Sequence, residues 1–168
     1  DYIHTGAGSP TYAAKHLSGS LAMKYMSDVI EKGTALSFAS AAAIALGKHV
    51  LPVYEIYKAG DELHWHTGAD FFAQWGMHLT IIPHFNNEEG GADIDTTYCY
   101  MGKVRFEKLI TLLPSDFVIL GIDEQTACIL DFETSEITVS GNGSATVIRG
   151  EKQTVYKAGE TFGFDVLM

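Results

Sequence analysis

Hydrophobic residues recur at helical spacing between residues 11 and 32. Leu21 and Tyr25 fall on one face of a helix with this period. The Ser-Gly-Ser break at 18–20 supplies a stop and then a capping serine, and Gly33 follows the pattern as a C-terminal stop. The pattern therefore predicts two short helices in this region.

Short apolar runs predict buried strands in the first half of the chain, at Tyr2–Thr5, Thr34–Phe38 and Leu79–Ile82. The alanine-rich stretch 41–46 predicts a helix between the second and third of these strands, and Gly47 ends it. Alternation of strands with helices is typical of a parallel sheet that has helices packed on its faces.

The connections between these strands carry weaker signals. The segment Leu51–Tyr57 contains a proline at position 52, which favours an edge strand or an irregular connection. Residues 70–77 predict one or two helical turns. A longer helix is expected from Lys103 to Leu113, where Pro114 ends it.

The second half of the chain changes to a β pattern. Strands are predicted at Phe117–Ile122 and Ala127–Phe132, followed by shorter β-like runs at 137–139, 145–148 and 154–156 with glycine turns between them. We therefore predict a single α/β domain over residues 1–168. It would be a three-layer sandwich with a mostly parallel sheet and a C-terminal part rich in β-hairpins.

Composition narrows the function classes. The chain has 168 residues, is 46% hydrophobic and carries a formal charge of −10. An apolar fraction of this size supports one buried core, whereas the acidic balance argues against nucleic acid or an anionic membrane as partner. A small neutral or cationic ligand fits this charge better. A homodimer is also plausible, because the chain has several apolar runs.

Cys99 and Cys128 are the only cysteines, too few for a disulfide framework and not spaced as zinc ligands. The sequence contains no apolar run long enough for a membrane span and no signal-peptide pattern at residue 1. We therefore expect a cytoplasmic protein. Because Tyr2–Thr5 already resembles an interior strand, we also expect that sequence is missing upstream.

Ser40 is the candidate nucleophile. It follows the apolar run Leu36–Ala39 and precedes a series of alanines, which is the pattern of a nucleophile elbow, where a strand turns sharply into a helix and exposes the serine oxygen. Taken alone, a serine in this position is more often a small packing residue. The residues that follow it strengthen the catalytic interpretation.

Glu55 and then His84 follow Ser40 along the chain, His84 at the end of the strand 79–82. Serine, acid and base in this order suggest a catalytic triad, in which Glu55 would accept the second ring N–H of His84. The alternatives are a hydrogen-bonded packing histidine and a solvated glutamate. The backbone N–H groups of Gly8 and Ala41 are the predicted oxyanion hole.

Several polar residues are candidates for substrate contacts. Asn86 and Asn87 begin a polar, glycine-containing loop of the kind that borders sites. Arg105 could bind a substrate carboxylate or form a surface ion pair at a helix start. The acidic residues of the loop would attract a positively charged substrate or be merely solvated. The His-Trp-His segment at 64–66 has no carboxylate cluster tied to it by spacing, so no metal and no cofactor are predicted.

These motifs resemble those of the serine peptidase family that includes aspartyl dipeptidase and cyanophycinase. The family shares a flavodoxin-like fold related to class I glutamine amidotransferases. The shared segments are the glycine loop at 6–9, the elbow FASAAA at 38–43, PHF at 83–85, GIDEQTA at 121–127 and the terminal hairpin VYKAG at 155–159. The resemblance covers nearly the whole chain and is typical of a divergent branch.

The resemblance implies that Ser40 is the nucleophile, His84 the base and Glu55 the acid, with Glu124 among the substrate-binding residues. In the family motif, glycines stand where this chain has Phe38 and Ala42. Family members also begin with further strand and helix units before the segment that matches Tyr2, so this chain is expected to lack the N-terminal strands.

The leading hypothesis is a serine hydrolase that cleaves a small peptide or amide. The alternative is a binding or regulatory module that keeps the fold without catalysis, which the residues Phe38 and Ala42 in the elbow motivate. Amide transfer from glutamine is a weaker hypothesis, because those enzymes use cysteine where this chain has Ser40.

Overall fold

A computed structural model describes residues 1–168 and shows a mixed α/β domain. None of its helices combines the length and apolar character needed to cross a lipid bilayer. Two short 3-10 helices lie at Phe71–Trp75 and Phe164–Leu167. The six α-helices are α1 (Pro10–Leu17), α2 (Leu21–Ile30), α3 (Ala41–Leu46), α4 (Val53–Tyr57), α5 (Thr97–Tyr100) and α6 (Lys103–Ile110).

The chain forms eleven strands, most of them in its second half. They are β1 (Tyr2–Thr5), β2 (Ala35–Phe38), β3 (His49–Val50), β4 (His66–Thr67), β5 (Leu79–Ile82), β6 (Val118–Ile122), β7 (Thr126–Asp131), β8 (Glu136–Gly141), β9 (Ser144–Arg149), β10 (Lys152–Lys157) and β11 (Thr161–Gly163).

Strand pairing is mixed and not mostly parallel as predicted. The pairs β1–β2 and β5–β6 are parallel, and the other five pairs are antiparallel. The largest sheet has the order β10–β9–β6–β5, and β7, β8 and β11 form a second sheet. The hairpins of the C-terminal half therefore add antiparallel strands directly to the parallel β5–β6 pair, since short glycine turns permit only antiparallel neighbours.

The sheet that contains β5, β6 and β9 is buried on both faces. Leu79 and Leu120 belong to one apolar cluster, which also receives Met23 of α2 and Ile137 of β8. The opposite cluster holds alternate residues of the same strands, together with apolar side chains of α4 and α6, among them Ile56, Phe106, Ile119 and Ile148. Because both faces of the sheet are buried, the sequences of these strands are continuous apolar runs without alternation. The flavodoxin-like arrangement of layers stays a prediction.

The two helices predicted between residues 11 and 32 are confirmed as α1 and α2. Ser9 accepts a hydrogen bond from the Tyr12 N–H at the start of α1, and Pro10 occupies the first helical position. Ser20 caps α2 by accepting from the Met23 N–H at 3.1 Å. Both caps satisfy N–H groups that the first helical turn leaves without an intrahelical partner.

Leu51–Tyr57 differs from its predicted form, because it contains the helix α4 and is neither an edge strand nor an irregular connection. Pro52 lies immediately before the first helical residue, where its missing N–H costs no intrahelical hydrogen bond. Val53 and Ile56, three residues apart, are both buried. Their burial outweighs the weak helix propensity of the β-branched residues.

Gly121 allows an aromatic ring to lie directly against β6. A Cβ added at Gly121 would be 2.5 Å from a ring carbon of Phe85. The Phe85 N–H also donates to the carbonyl of Ile122 at 3.1 Å. This close approach fixes the chain just after β5, where His84 precedes Phe85.

We expect Gly121→Ala to lower the free energy of unfolding by about 1–3 kcal/mol, because the added methyl overpacks against the Phe85 ring. Chemical denaturation measures the change. In the background of Phe85→Leu, which lacks the aromatic ring, Gly121→Ala should lower the free energy of unfolding by less. Equal costs in both backgrounds would contradict this explanation.

Candidate active site

Ser40 lies in a strained turn between β2 and α3. Its φ is 53° and its ψ −118°, a region that side chains rarely adopt. Phe38 and Ala42, which stand where the family motif has glycines, do not prevent this turn. The Phe38 ring packs 5.9 Å from that of Phe71, and Ala42 is buried in α3. Because Ser40 alone takes the strained conformation, its neighbours need not be glycine.

His84 reaches Ser40 from the end of β5. Its Nε2 lies 2.9 Å from the Ser40 Oγ, a hydrogen-bonding distance. The carbonyl of His84 accepts the N–H groups of Asn87 and Cys99, so the backbone is tied to the loop that follows and to α5. The structure thus brings together the serine and histidine that the sequence analysis selected.

Glu124, and not Glu55, is the carboxylate that contacts His84. Its Oε1 lies 2.8 Å from the His84 Nδ1 and also accepts a hydrogen bond from the Asn87 Nδ2 at 2.9 Å. The Glu124 N–H donates to the Asn86 Oδ1 at 2.7 Å. Asn87 thus binds the carboxylate of Glu124, and Asn86 binds its backbone N–H; their predicted contacts with substrate stay predictions. Asn87 is almost fully buried, with 1% of its surface exposed.

Opposing effects act on the pKa of Glu124. Partial burial raises the pKa, but the hydrogen bonds from Asn87 and His84 and the charge of His84 together outweigh burial. The net pKa lies below its ordinary value of 4.5. The carboxyl group is therefore ionised at neutral pH and can accept the Nδ1–H of His84, which leaves Nε2 as an acceptor for the Ser40 hydroxyl.

Glu55 lies on α4 and makes a different contact. Its Oε1 accepts a short hydrogen bond from the Thr11 hydroxyl at the start of α1, and its Oε2 is buried without a partner. The prediction that Glu55 orients His84 is therefore wrong in geometry. The physical reason is the helical form of residues 53–57, which directs Glu55 to α1.

A cavity of about 390 Å³ opens beside Ser40 and His84. Gly8 and Ala41, the predicted oxyanion residues, line it together with Ser40. The N–H groups of both residues donate no hydrogen bond within the protein. They are thus two donors free to bind an oxygen atom in this cavity. Further wall residues are Val53, Tyr54, Tyr57, Lys58, Glu89 and Tyr100.

Residues with positive φ concentrate around this cavity. Ser40, His84, Cys99 and Tyr100 line it and have φ values of 53°, 54°, 57° and 69°. Such conformations cost about 1–3 kcal/mol each and persist only where the surroundings impose them. This clustering makes the cavity a candidate functional site.

Tyr100 and Cys99 are both neutral at physiological pH. Burial and the hydrogen bond to Glu89 raise the pKa of Tyr100 to about 12, and its hydroxyl donates to the Glu89 Oε2 at 2.8 Å. Burial and the nearby Glu124 raise the pKa of the Cys99 thiol to about 12. A protonated, buried thiol is a poor nucleophile, so Ser40 is the better candidate in this cavity.

Arg105 does not line the cavity of Ser40, so its predicted contact with a substrate carboxylate stays a prediction. Its Nε donates to the Met101 carbonyl at 2.5 Å and its terminal nitrogen to the Tyr100 carbonyl at 3.1 Å. These bonds cap the end of α5. The predicted alternative, a surface ion pair, is absent, because Arg105 forms no salt bridge.

The histidines of the His-Trp-His segment lie close together. The Nε2 atoms of His64 and His66 are 3.3 Å apart, and the His64 Nδ1 lies 2.7 Å from the Glu62 carbonyl. The structure contains no group of three or more His, Cys, Asp or Glu residues that could hold a metal ion.

The position of Glu124 just after a buried strand was the one sequence signal for its contact with His84. Gly121 pairs with Ile82 in the parallel β5–β6 register, so the residues after both strands meet at one edge of the sheet. Two polar residues that each follow one of two neighbouring parallel strands are candidates for a mutual hydrogen bond. The order of strands, however, cannot be read from the chain.

Neither a protein-family model nor a curated protein matches this chain. Its structure is similar to that of a peptidase from an acI-B1 Actinobacterium, with a TM-score of 0.72, 23% sequence identity and 97% of this chain covered. A candidate peptidase E protein from Listeria monocytogenes EGD-e is more distant, with a TM-score of 0.48, 16% identity and 95% of this chain covered. The chain spans 59% and 60% of these two proteins. The first likeness shows a peptidase-like fold.

The strain at Ser40 predicts an unusual result for Ser40→Gly. Glycine normally destabilises by about 0.5–1 kcal/mol relative to alanine, but relief of about 1–3 kcal/mol of backbone strain exceeds that cost. We therefore expect Ser40→Gly to be more stable than Ser40→Ala by about 1 kcal/mol in urea denaturation.

Ser140, an exposed serine in β8, provides the matched control. There the usual order should hold, with Ser140→Ala more stable than Ser140→Gly. If Ser40→Gly is the less stable variant at position 40 as well, the turn is not strained.

The lowered pKa of Glu124 predicts a pH-dependent contribution to stability. A carboxylate whose pKa is lower in the folded state stabilises that state above its ordinary pKa, here 4.5, and the contribution is lost as pH falls through the folded value. The difference in unfolding free energy between wild type and Glu124→Gln should therefore be constant near neutral pH and shrink in acid. Asn87→Ala removes one hydrogen bond that lowers the pKa of Glu124. In this background the stabilisation by Glu124 should therefore begin to fall at a higher pH. A difference independent of pH would contradict the assignment.

Proposed function

We propose that this protein is a serine hydrolase in which Ser40, His84 and Glu124 act as a catalytic triad. The observation that carries the proposal is the continuous hydrogen-bonded series from the Ser40 Oγ through the His84 ring to the Glu124 carboxylate, at 2.9 and 2.8 Å. A serine hydroxyl becomes an effective nucleophile when a base accepts its proton and a third group orients that base.

In the proposed mechanism, the Ser40 Oγ attacks the carbonyl carbon of the substrate while the His84 Nε2 takes the hydroxyl proton. The imidazolium that forms is stabilised by the ionised Glu124. His84 then donates the proton to the leaving amine, which departs as the acyl-enzyme forms. Water, deprotonated by the same His84, hydrolyses the ester and releases Ser40.

The N–H groups of Gly8 and Ala41 would bind the oxyanion. Two features support this role: both residues line the cavity with Ser40, and both N–H groups are free of partners within the protein. Ala41 is also the first residue of α3, where an unpaired N–H is expected. Together the donors would stabilise negative charge that develops only in the transition state.

The proposed substrate is a small peptide or amide. A cavity of about 390 Å³ falls in the range of small-molecule sites. Its walls combine the apolar Ile44 and Val53 with the charged Lys58 and Glu89, as expected for a ligand with an apolar part and polar ends. The likeness in fold to the actinobacterial peptidase is consistent with cleavage of an amide bond.

A fluorophosphonate probe should label wild-type protein at Ser40, and Ser40→Ala should abolish labelling. Because His84 and Glu124 activate the serine, His84→Ala and Glu124→Gln should each slow labelling and amide hydrolysis by about 10²- to 10⁴-fold. Peptide mapping by mass spectrometry locates the label, and a library of dipeptides and isopeptides supplies the substrates.

Glu133→Gln, which removes an exposed carboxylate in the β7–β8 turn, is the matched control and should react at the wild-type rate. The proposal fails if wild type is not labelled and Ser40→Ala alters no hydrolytic rate. Thermal stabilisation by a library member without any turnover would then favour a binding module.

A further inference from the structure

A directed series of hydrogen bonds runs from α4 to the loop that carries Gly8. The Thr11 hydroxyl donates to the Glu55 Oε1, and the Thr11 and Ser9 hydroxyl oxygens are 3.0 Å apart. Because the Thr11 proton is given to Glu55, the Ser9 hydroxyl must donate to Thr11. Ser9 in turn accepts the Tyr12 N–H at 3.2 Å. The carboxylate therefore sets the direction of the bond between Ser9 and Thr11.

The position of the Glu55 side chain is unfavourable for the stability of the folded state. Its Oε2 is buried and has no hydrogen-bond partner. A buried polar atom without a hydrogen-bond partner destabilises the folded state. An apolar residue would avoid the penalty, so stability alone does not account for a carboxylate here.

The loop held by this series separates two cavities. Gly8 and Pro10 line the cavity of Ser40, whereas Ser9 and Thr11 line a second cavity of about 500 Å³ together with Glu55. The series therefore approaches the loop from the side opposite the candidate nucleophile. It can fix the loop without occupying the space that a substrate needs.

The loop that carries Gly8 forms few other hydrogen bonds. Residues 6–8 neither donate nor accept a backbone hydrogen bond, and two of the three are glycines. Backbone of this composition has wide conformational freedom unless a neighbour restrains it. The side chain of Ser9 is the nearest hydrogen-bonded anchor on the helix side of Gly8.

We propose that Glu55 is a positioning residue that acts through Thr11 and Ser9 to hold the Gly6–Ser9 loop, so that the Gly8 N–H stays directed at the oxyanion. The inference rests on the proposed hydrolase function. It gives Glu55 a role in transition-state stabilisation although it contacts neither His84 nor substrate.

Thr11→Val tests the proposal, because valine has nearly the shape of threonine but no hydroxyl. Deleting an oxyanion donor lowers kcat by about 10²–10³-fold, so loosening one should lower it by roughly 10-fold or more. KM should change little, because the donor acts mainly in the transition state. Thr11→Ser keeps the hydroxyl and should retain wild-type kcat. Glu55→Ala breaks the series from its other end and should behave as Thr11→Val does.

Backbone ¹⁵N relaxation supplies a readout that does not depend on turnover. The order parameters of Gly6, Ala7 and Gly8 should fall from about 0.85 towards 0.6 in Thr11→Val and stay high in Thr11→Ser. Far-UV circular dichroism and thermal unfolding establish that each variant is folded.

The outcomes separate the two proposals. If wild type hydrolyses substrate through Ser40 but Thr11→Val and Glu55→Ala keep both kcat and the order parameters, the inference is overturned and the proposed function stands. Lower order parameters at residues 6–8 of Thr11→Val, with kcat unchanged, would also overturn the inference. If wild type shows neither labelling nor turnover, the proposed function fails and the inference fails with it.

Discussion

The parallel pairing of β5 with β6 is the constraint on which the candidate site depends. Since Ile82 pairs with Gly121, the residues that follow both strands emerge at the same edge of the sheet. His84 and Glu124 are therefore neighbours although they are forty positions apart in the chain. Phe85 packed on Gly121 and the amide of Asn87 on Glu124 then fix the relative positions of imidazole and carboxylate.

Strain and burial act together around the cavity. The left-handed conformations at Ser40 and His84 are unfavourable by themselves, but both residues are joined to well-packed elements. Ser40 leads into α3, whose six residues are all buried, and His84 leaves β5, whose four residues are all buried. The stability of these elements offsets the local cost and keeps the two side chains within hydrogen-bonding distance.

The sequence was sufficient for local structure and for part of the site. The capped helices α1 and α2, the turn at Ser40 and the strand before His84 all follow from residue pattern, because hydrogen-bonding and packing preferences over a few residues determine them. Strand order depends on contacts between distant segments, so neither the antiparallel pairing of β6 with β9 nor the pairing of Glu124 with His84 could be derived. Glu55 was predicted to bind His84 from its place between Ser40 and His84 in the sequence. The helical turn of α4 instead directs its side chain to Thr11.

Ser40 and Glu124 belong to different halves of the chain, and this has a consequence for synthesis on the ribosome. Ser40 and His84 emerge early, whereas Glu124 follows β6, whose place in the sheet also needs β9 from still later in the chain. A nascent or truncated polypeptide would carry a serine and an imidazole but no oriented base. The order of synthesis would then delay formation of the Ser40–His84–Glu124 hydrogen-bonded series until the C-terminal hairpins have docked.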